Sequence, residues 1–152
     1  MAVKAIPDGY YSLTPYLVIK GAAEAIEFYK KAFGAVELTR MPGEGGRVMH
    51  AEIKIGNSIL MLSDENPERG YLSPTTRGGH TSSVMLYTDD VDAVFKKAVG
   101  AGARADMPPT DMFWGDRMGN LTDPFGHSWA VATHKEDVSS EEMERRMAAQ
   151  GA

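Results

Sequence analysis

The amino-acid sequence predicts an α+β protein built from two β-α-β-β-β modules. Three observations carry that prediction. The helix ending KKAFGA at residues 30–35 recurs as KKAVGA at residues 96–101. Each copy follows a short run of strand-forming residues and an apolar stripe at helical spacing. Each copy also precedes strand runs joined by a turn signal, Gly56 and Asn57 in the first half and Asp123 to Gly126 in the second. Self-similarity of this kind marks a duplicated supersecondary unit.

Residues 13–19 (LTPYLVI) are rich in β-formers, and Pro15 favours an edge or the start of a strand. Gly21 breaks the run, after which Ala22, Ala25, Ile26, Tyr29, Ala32 and Phe33 share one helical face. Gly34 stands where a helix commonly ends in the left-handed conformation. A strand over 36–40, a loop MPGEGG and strands over 48–55 and 58–62 complete a first module at about 12–64. Gly56 and Asn57 between the last two predict a hairpin. The polar stretch 65–81 has no periodicity and is expected to be a linker or mobile flap.

The second module, about 82–134, opens with a strand over 83–88. Asp89 or Asp90 caps the next helix, whose buried stripe is Val91, Val94, Phe95, Ala98 and Val99. A short strand over 103–106, a loop MPPTDMFWG, and strands over 117–122 and 128–133 follow. Ser139 and Glu142 have capping-box spacing for a last helix at about 139–149, expected to dock through Met143 and Met147. The whole chain, 1–152, is expected to form one domain from these parts.

Composition excludes several classes of function. The net charge is -5, and the 16 basic residues form no run longer than two, so the chain lacks the basic stripe that nucleic-acid binding needs. There are no cysteines, which removes disulfides, thiolate metal sites and cysteine nucleophiles. No stretch reaches the roughly 20 apolar residues of a membrane span, and the first residues lack an apolar core of signal-peptide length. The expectation is a cytoplasmic protein that binds neither membrane nor nucleic acid.

The segments AIEFYKKAFGA, HAEIKIGNSILMLSDE, DDVDAVFKKAVGAGA and FWGDRMGNLTDPFGHSW resemble the glyoxalase/bleomycin-resistance/extradiol-dioxygenase superfamily, the vicinal-oxygen-chelate proteins, over about residues 12–134. Within it they look most like the PhnB-like branch. The resemblance implies that each module curls its sheet into a half-open barrel and that paired modules enclose a cavity. It also implies a homodimer, since such modules leave sheet edges open and the superfamily covers them by pairing chains. Its metal enzymes take four ligands from the first and fourth strands of each module. Those positions fall here on Thr14, Met61, Ser83 and Ala130, none of which offers the imidazole or carboxylate that a divalent ion requires. No metal and no other cofactor is therefore expected.

Strand alternation then selects the cavity face. With Ala51, Ile53 and Ile55 packed under a helix, His50 and Glu52 point the other way, their Cβ atoms about 7 Å apart. The carboxylate can orient or charge the imidazole for acid–base work. By the same parity Thr14, Tyr16, Met61, Ser83, Met85, Tyr87 and Ala130 line the cavity. In FWGDR, Phe113 and Trp114 can serve as stacking walls and Arg117 as an anion anchor; the bleomycin-binding relatives use a comparable aromatic loop. The opposing reading pairs Asp116 with Arg117 or with backbone groups and makes Trp114 a lid. His127 and His134 are expected to be solvated.

Three functions fit. The first is a metal-free binding protein for a small aromatic or anionic molecule. The second is a glyoxalase-type lyase or isomerase that uses His50 and Glu52, or a displaced metal on His50, Glu52 and His80. The third is an interaction module whose barrel is plugged by Tyr16, Met61 and Met85.

Overall fold

In a computed structural model, which describes residues 2–151, the chain divides into two compact units. The first comprises the residues up to Thr81 together with Pro124–Gly126, and the second the remainder. In the first unit β1 (Tyr16–Ile19) leads into α1 (Ala22–Phe33), then β2 (Val36–Pro42), β3 (Val48–Ile55) and β4 (Ser58–Asp64). A 3-10 turn (Pro67–Arg69) and the one-turn helix α2 (Pro74–Arg77) follow. The second unit runs β5 (Ser83–Tyr87), α3 (Val91–Gly100), β6 (Arg104–Asp111), β7 (Asp116–Thr122), β8 (Ser128–His134) and α4 (Ser140–Gln150). No helix of the described residues is long and apolar enough to cross a membrane.

The two sheets have the same topology, β1-β4-β3-β2 and β5-β8-β7-β6, and each remains open rather than closing into a barrel. The first and last strands of each module pair in parallel, β1 on β4 and β5 on β8, while the other neighbours are antiparallel. One face of each sheet carries the helix. In the first unit Ile19, Ala51, Ile53 and Leu62 meet Ala22, Ala25, Ile26 and Tyr29, all fully buried. Each large aliphatic group removed from water in this way contributes roughly 1.5–3 kcal/mol. In the second unit Val91, Phe95 and Ala98 cover Leu121 and Val131, and Trp129 is buried with its indole N–H donated to Asp123 at 2.9 Å.

The helix starts and stops reflect local chemistry. Asp64, at the end of β4, accepts from the backbone N–H groups of Gly21 (3.0 Å) and Ala22 (2.9 Å), so α1 is capped by a side chain distant in sequence. The corresponding place in the second unit is taken by Thr133, whose hydroxyl accepts from Val91 N–H at 2.8 Å. Asp90 caps α3 from within the sequence, accepting from Ala93 N–H at 3.0 Å. The two KKAxGA endings differ in conformation. Gly34 closes α1 in the left-handed region at φ 66°, whereas α3 continues through Gly100 and ends at Ala101, with Gly102 taking the positive φ.

Several elements depart from the sequence expectations. β1 begins only at Tyr16, because Pro15 has no N–H to donate, although its carbonyl accepts from Met61 N–H at 2.9 Å. β6 extends through Pro108 and Pro109, residues expected to form a loop; it lies at the sheet edge and absorbs the prolines at the register shift between Met107 and Thr110. The stretch 65–81 carries short structure of its own. Glu65 accepts from Ser73 N–H at 2.9 Å and from the Thr76 hydroxyl at 2.8 Å, which fastens the start of α2, and Ser73 is fully buried. Val99 leaves the buried stripe of α3 and is 39% exposed. In α4, Ser139 caps through Glu142 N–H at 3.2 Å, but the Glu142 carboxylate binds Arg145 and Arg146 instead of reaching back. Those two guanidinium groups hold the Glu142 carboxyl down to about 2. Of the two expected contacts Met143 is half-buried and Met147 exposed, and Arg146 ties the helix down by bonding the Phe113 carbonyl at 3.2 Å and pairing with Glu136.

Candidate functional site

The face of the first sheet opposite α1 carries a hydrogen-bonded cluster of polar side chains. Register places Tyr16 beside Met61 and Met61 beside Glu52, so the three cross β1, β4 and β3 in one row. His50 stands two residues from Glu52, in the next row, as alternation requires. The Tyr16 hydroxyl lies 3.0 Å from His50 Nδ1, and His50 Nε2 lies 3.0 Å from Glu52 Oε1. The second Glu52 oxygen accepts from the Tyr10 hydroxyl. The hydrogen bonds from Tyr10 and then His50 hold the Glu52 carboxyl below its ordinary range, outweighing partial burial. Thr14 lies half-buried just ahead of β1.

An adjoining cavity of about 580 Å³, open on one side, is lined by Tyr16, Arg47, Met49, Ser63, Arg69 and Tyr71, with Glu44 and Asp64 also on its wall. Its shape follows from two strands and two turns. The turn after β2 carries Glu44 and leads into Arg47, the parallel strands β1 and β4 supply Tyr16 and Ser63, and the 3-10 turn holds Arg69 beside Tyr71. Asp64 is occupied, its Oδ1 by Gly21 and Ala22 and its Oδ2 by Val48 N–H at 2.7 Å. Arg47 donates to the Glu65 carbonyl. Neither Arg47 nor Arg69 is paired with a carboxylate among the described residues, so the cavity presents two guanidinium groups beside two phenols and a thioether.

In the second unit Ser83, Met85, Tyr87 and Ala130 share one face, with Met85 directly beside Ala130. The Tyr87 hydroxyl donates to Asp116 at 3.0 Å, and His134 Nδ1 lies 2.7 Å from the other Asp116 oxygen. His134 Nε2 lies 2.9 Å from Asp137, so His134 is bonded at both nitrogens rather than simply solvated. Burial opposes ionisation of Asp116, but hydrogen bonds from His134, Tyr87 and Trp114 prevail and hold its carboxyl below the usual range. Phe113 and Trp114 sit in the turn between β6 and β7 with rings edge to face at 5.0 Å.

Arg117, expected as an anion anchor, is paired with carboxylates of its own chain. It lies on the helix side of β7, where its guanidinium binds Asp92 of α3 at 2.8 and 2.9 Å and Asp111 at 3.2 Å. Those carboxylates raise its pKa far above the ordinary value and take one N–H from each of its three nitrogens. Arg47, Arg69, Tyr71 and Tyr10, none of them singled out by the sequence, take part in the first unit instead.

The fold has known counterparts. The sequence profile of the Glyoxalase/Bleomycin resistance protein/Dioxygenase superfamily matches residues 13–131. The chain belongs to that superfamily. An uncharacterised protein of Mycobacterium bovis is 40% identical over 154 residues, which span 99% of each chain. Among solved structures, TioX from Micromonospora sp. ML1 has a TM-score of 0.66 at 30% identity, over 82% of this chain and 98% of TioX. A PhnB protein from Bacillus cereus shares the fold, with a TM-score of 0.63 at 20% identity over 81% of this chain and 99% of its own.

Superfamily enzymes hold a metal on their first and last strands, and the residues here do not fit one. Thr14, Met61, Ser83 and Ala130 offer hydroxyl, thioether and methyl groups, which do not replace the water shell of a divalent ion as imidazole or carboxylate does. Among the described residues no three His, Asp or Glu side chains are placed to hold a metal ion, so His80, exposed after α2, does not complete a displaced site with His50 and Glu52.

Proposed function

We propose that the chain binds a small, partly aromatic organic anion in the cavity of the first unit. The observation that carries this reading is the meeting of Arg47 and Arg69 with Tyr16, Tyr71 and Met49 around about 580 Å³. A volume of that order suits a ligand of drug-like size, and a mostly apolar wall with few placed charges is the usual make-up of such a site. Guanidinium groups recognise carboxylate or phosphate in a planar, two-point manner, while phenol rings and a thioether accept an aromatic face. The superfamily description includes bleomycin resistance proteins as well as enzymes, and the donor set described above favours binding without a metal.

The test is a thermal-shift screen of aromatic carboxylates and phosphates on the metal-free protein. A compound at 100 times its dissociation constant stabilises by about 2.7 kcal/mol. For a chain of this length that corresponds to roughly 5–10 °C in melting temperature. Arg69→Ala and Tyr71→Ala each abolish the shift if the ligand sits where proposed. A screen without hits, or hits indifferent to both substitutions, overturns the reading. Elemental analysis above about half a metal per chain, lost in His50→Ala, would replace it with a metal-dependent enzyme.

We also propose that the protein acts as a homodimer. The edge strand β2 leaves Val36 (60%) and Leu38 (47%) exposed beside unpaired backbone groups, a combination that soluble proteins normally cover.

A further inference from the structure

The hydrogen bonds around His50 determine which way its protons point, and that direction reaches the cavity. Glu52 is ionised and can only accept. His50 Nε2 faces Glu52 Oε1 at 3.0 Å, so Nε2 carries the proton of the neutral ring. Nδ1 then has a lone pair, and among the described residues the group placed to use it is the Tyr16 hydroxyl at 3.0 Å, which must donate. Tyr10 reinforces the order by donating to the other Glu52 oxygen, leaving the carboxylate no reason to turn. The chain of donation therefore runs from Tyr16 to His50 to Glu52, and Tyr16 is the member that lines the cavity.

A phenol whose proton is committed elsewhere offers its surroundings only lone pairs. We propose that Tyr16 is the specificity-determining acceptor of the cavity, and that the ligand is a hydroxylated aromatic acid whose hydroxyl donates to Tyr16 while its anionic group meets Arg47 and Arg69. Glu52 and His50 are positioning residues: they never touch the ligand but decide that Tyr16 accepts rather than donates. This inference rests on the anion-binding reading of the same cavity and adds to it the sign of the second polar contact. It predicts discrimination against two analogues. The parent acid lacks the donor, and the methoxy acid presents an oxygen to an oxygen that has no proton to share. A site built to pair a donor leaves its acceptor unpaired when the donor is missing, and binding weakens accordingly.

The experiment has two arms on the full chain. In the first, ¹⁵N-edited NMR at pH 8 reads the tautomer of His50; a proton on Nε2 is expected, and a proton on Nδ1 overturns the inference without touching the anion-binding reading. In the second, NMR titration compares hydroxybenzoates and hydroxynaphthoates with their parent and methoxy acids. Wild type should prefer the hydroxy acid by about tenfold or more. Tyr16→Phe should remove that preference while retaining the weaker affinity for the parent acid. Glu52→Gln is the variant that a merely structural role would not move. Its single oxygen can serve Tyr10 while its amide donates to Nε2, which reverses the His50 tautomer and lets Tyr16 donate. The preference should then fall toward parity or pass to the methoxy acid. Binding of parent and hydroxy acids with equal affinity overturns the inference alone, whereas no binding by any member overturns both it and the anion-binding reading.

Discussion

Replacing Asp64 with alanine tests whether one carboxylate ties three elements of the first unit together. Its Oδ1 accepts from Gly21 and Ala22 at 3.0 and 2.9 Å, and its Oδ2 accepts from Val48 at 2.7 Å. Alanine removes all three bonds. Loss of a helix cap costs about 0.5–2 kcal/mol. The N–H of Val48, a residue only 2% exposed, is left without its acceptor, which adds roughly 1–3 kcal/mol. Asp64 itself is half-buried, and water can replace part of the cap, so a total of about 2–4 kcal/mol is expected. At roughly 2–4 °C per kcal/mol, the melting temperature should fall by about 5–12 °C. Asp64→Asn separates the two contributions. Its oxygen can still cap α1, but its amide group meets Val48 N–H donor to donor, so about half the loss should remain. Urea unfolding followed by circular dichroism gives the magnitude. Amide hydrogen exchange gives the place, with protection lost at Ala22 and Val48 in the alanine variant and chiefly at Val48 in the asparagine variant. An alanine variant within 1 kcal/mol of wild type, or an asparagine variant as stable as wild type, would refute the reasoning.

The paired Asp116 and His134 should make stability depend on pH in a defined window. His134 is raised from 6.5 by Asp116 and then Asp137, so its contribution is complete below that value and lost as pH rises through its folded value; Asp116, lowered from 3.8, contributes above that value and loses it as pH falls further. The stability difference between wild type and His134→Gln should therefore be larger at pH 6 than at pH 9, and a difference independent of pH would count against the pair. Light scattering during gel filtration should give about twice 16.5 kDa, and a monomer at micromolar concentration removes the homodimer proposal.

What the sequence made legible was what repeats with a period or carries a cap. The alternation in HAEIKI sorted Ala51 and Ile53, both fully buried, from His50 and Glu52, because a strand under a helix can bury only one parity. Gly34 and Asp90 announced helix ends through conformational and hydrogen-bonding preferences that act locally. Arg47, Arg69 and Tyr71 escaped because they stand in or beside turns with no period, and only tertiary approach brings them together. Tyr10 precedes the first strand and carries no local signal of its partner Glu52. Arg117 is different, since a signal existed. Asn120 faces Ala130 across the ladder, so three residues back along β7 the side chain must point to the opposite face. Treating FWGDR as a loop hid that parity. The same ladder makes Asp116 the direct partner of His134, which is why a strand-end histidine expected to be solvated is bonded at both nitrogens.

The duplicated fold also exposes where the chemistry is not duplicated. Equivalent positions across the two sheets read Tyr16, Met61 and Glu52 in the first unit and Met85, Ala130 and Asn120 in the second. The backbone ladder is the same, so the difference lies in the side chains alone. The first row carries a phenol and a carboxylate that, through His50, order each other's protons; the second has no ionisable group. The ionisable set of the second sheet lies toward the strand ends, where Asp116 is saturated by Tyr87, His134 and Trp114 and thus closes a network instead of opening one to a ligand. Each module needs its own apolar face under a helix to fold, but on the proposed reading only one needs a polar opposite face. The second sheet gives that face to Met85 and Tyr87, which are 46% and 58% exposed, whereas the polar side chains around the cavity of the first unit stand on β1, β4 and the turns beside them, where ligand recognition is proposed.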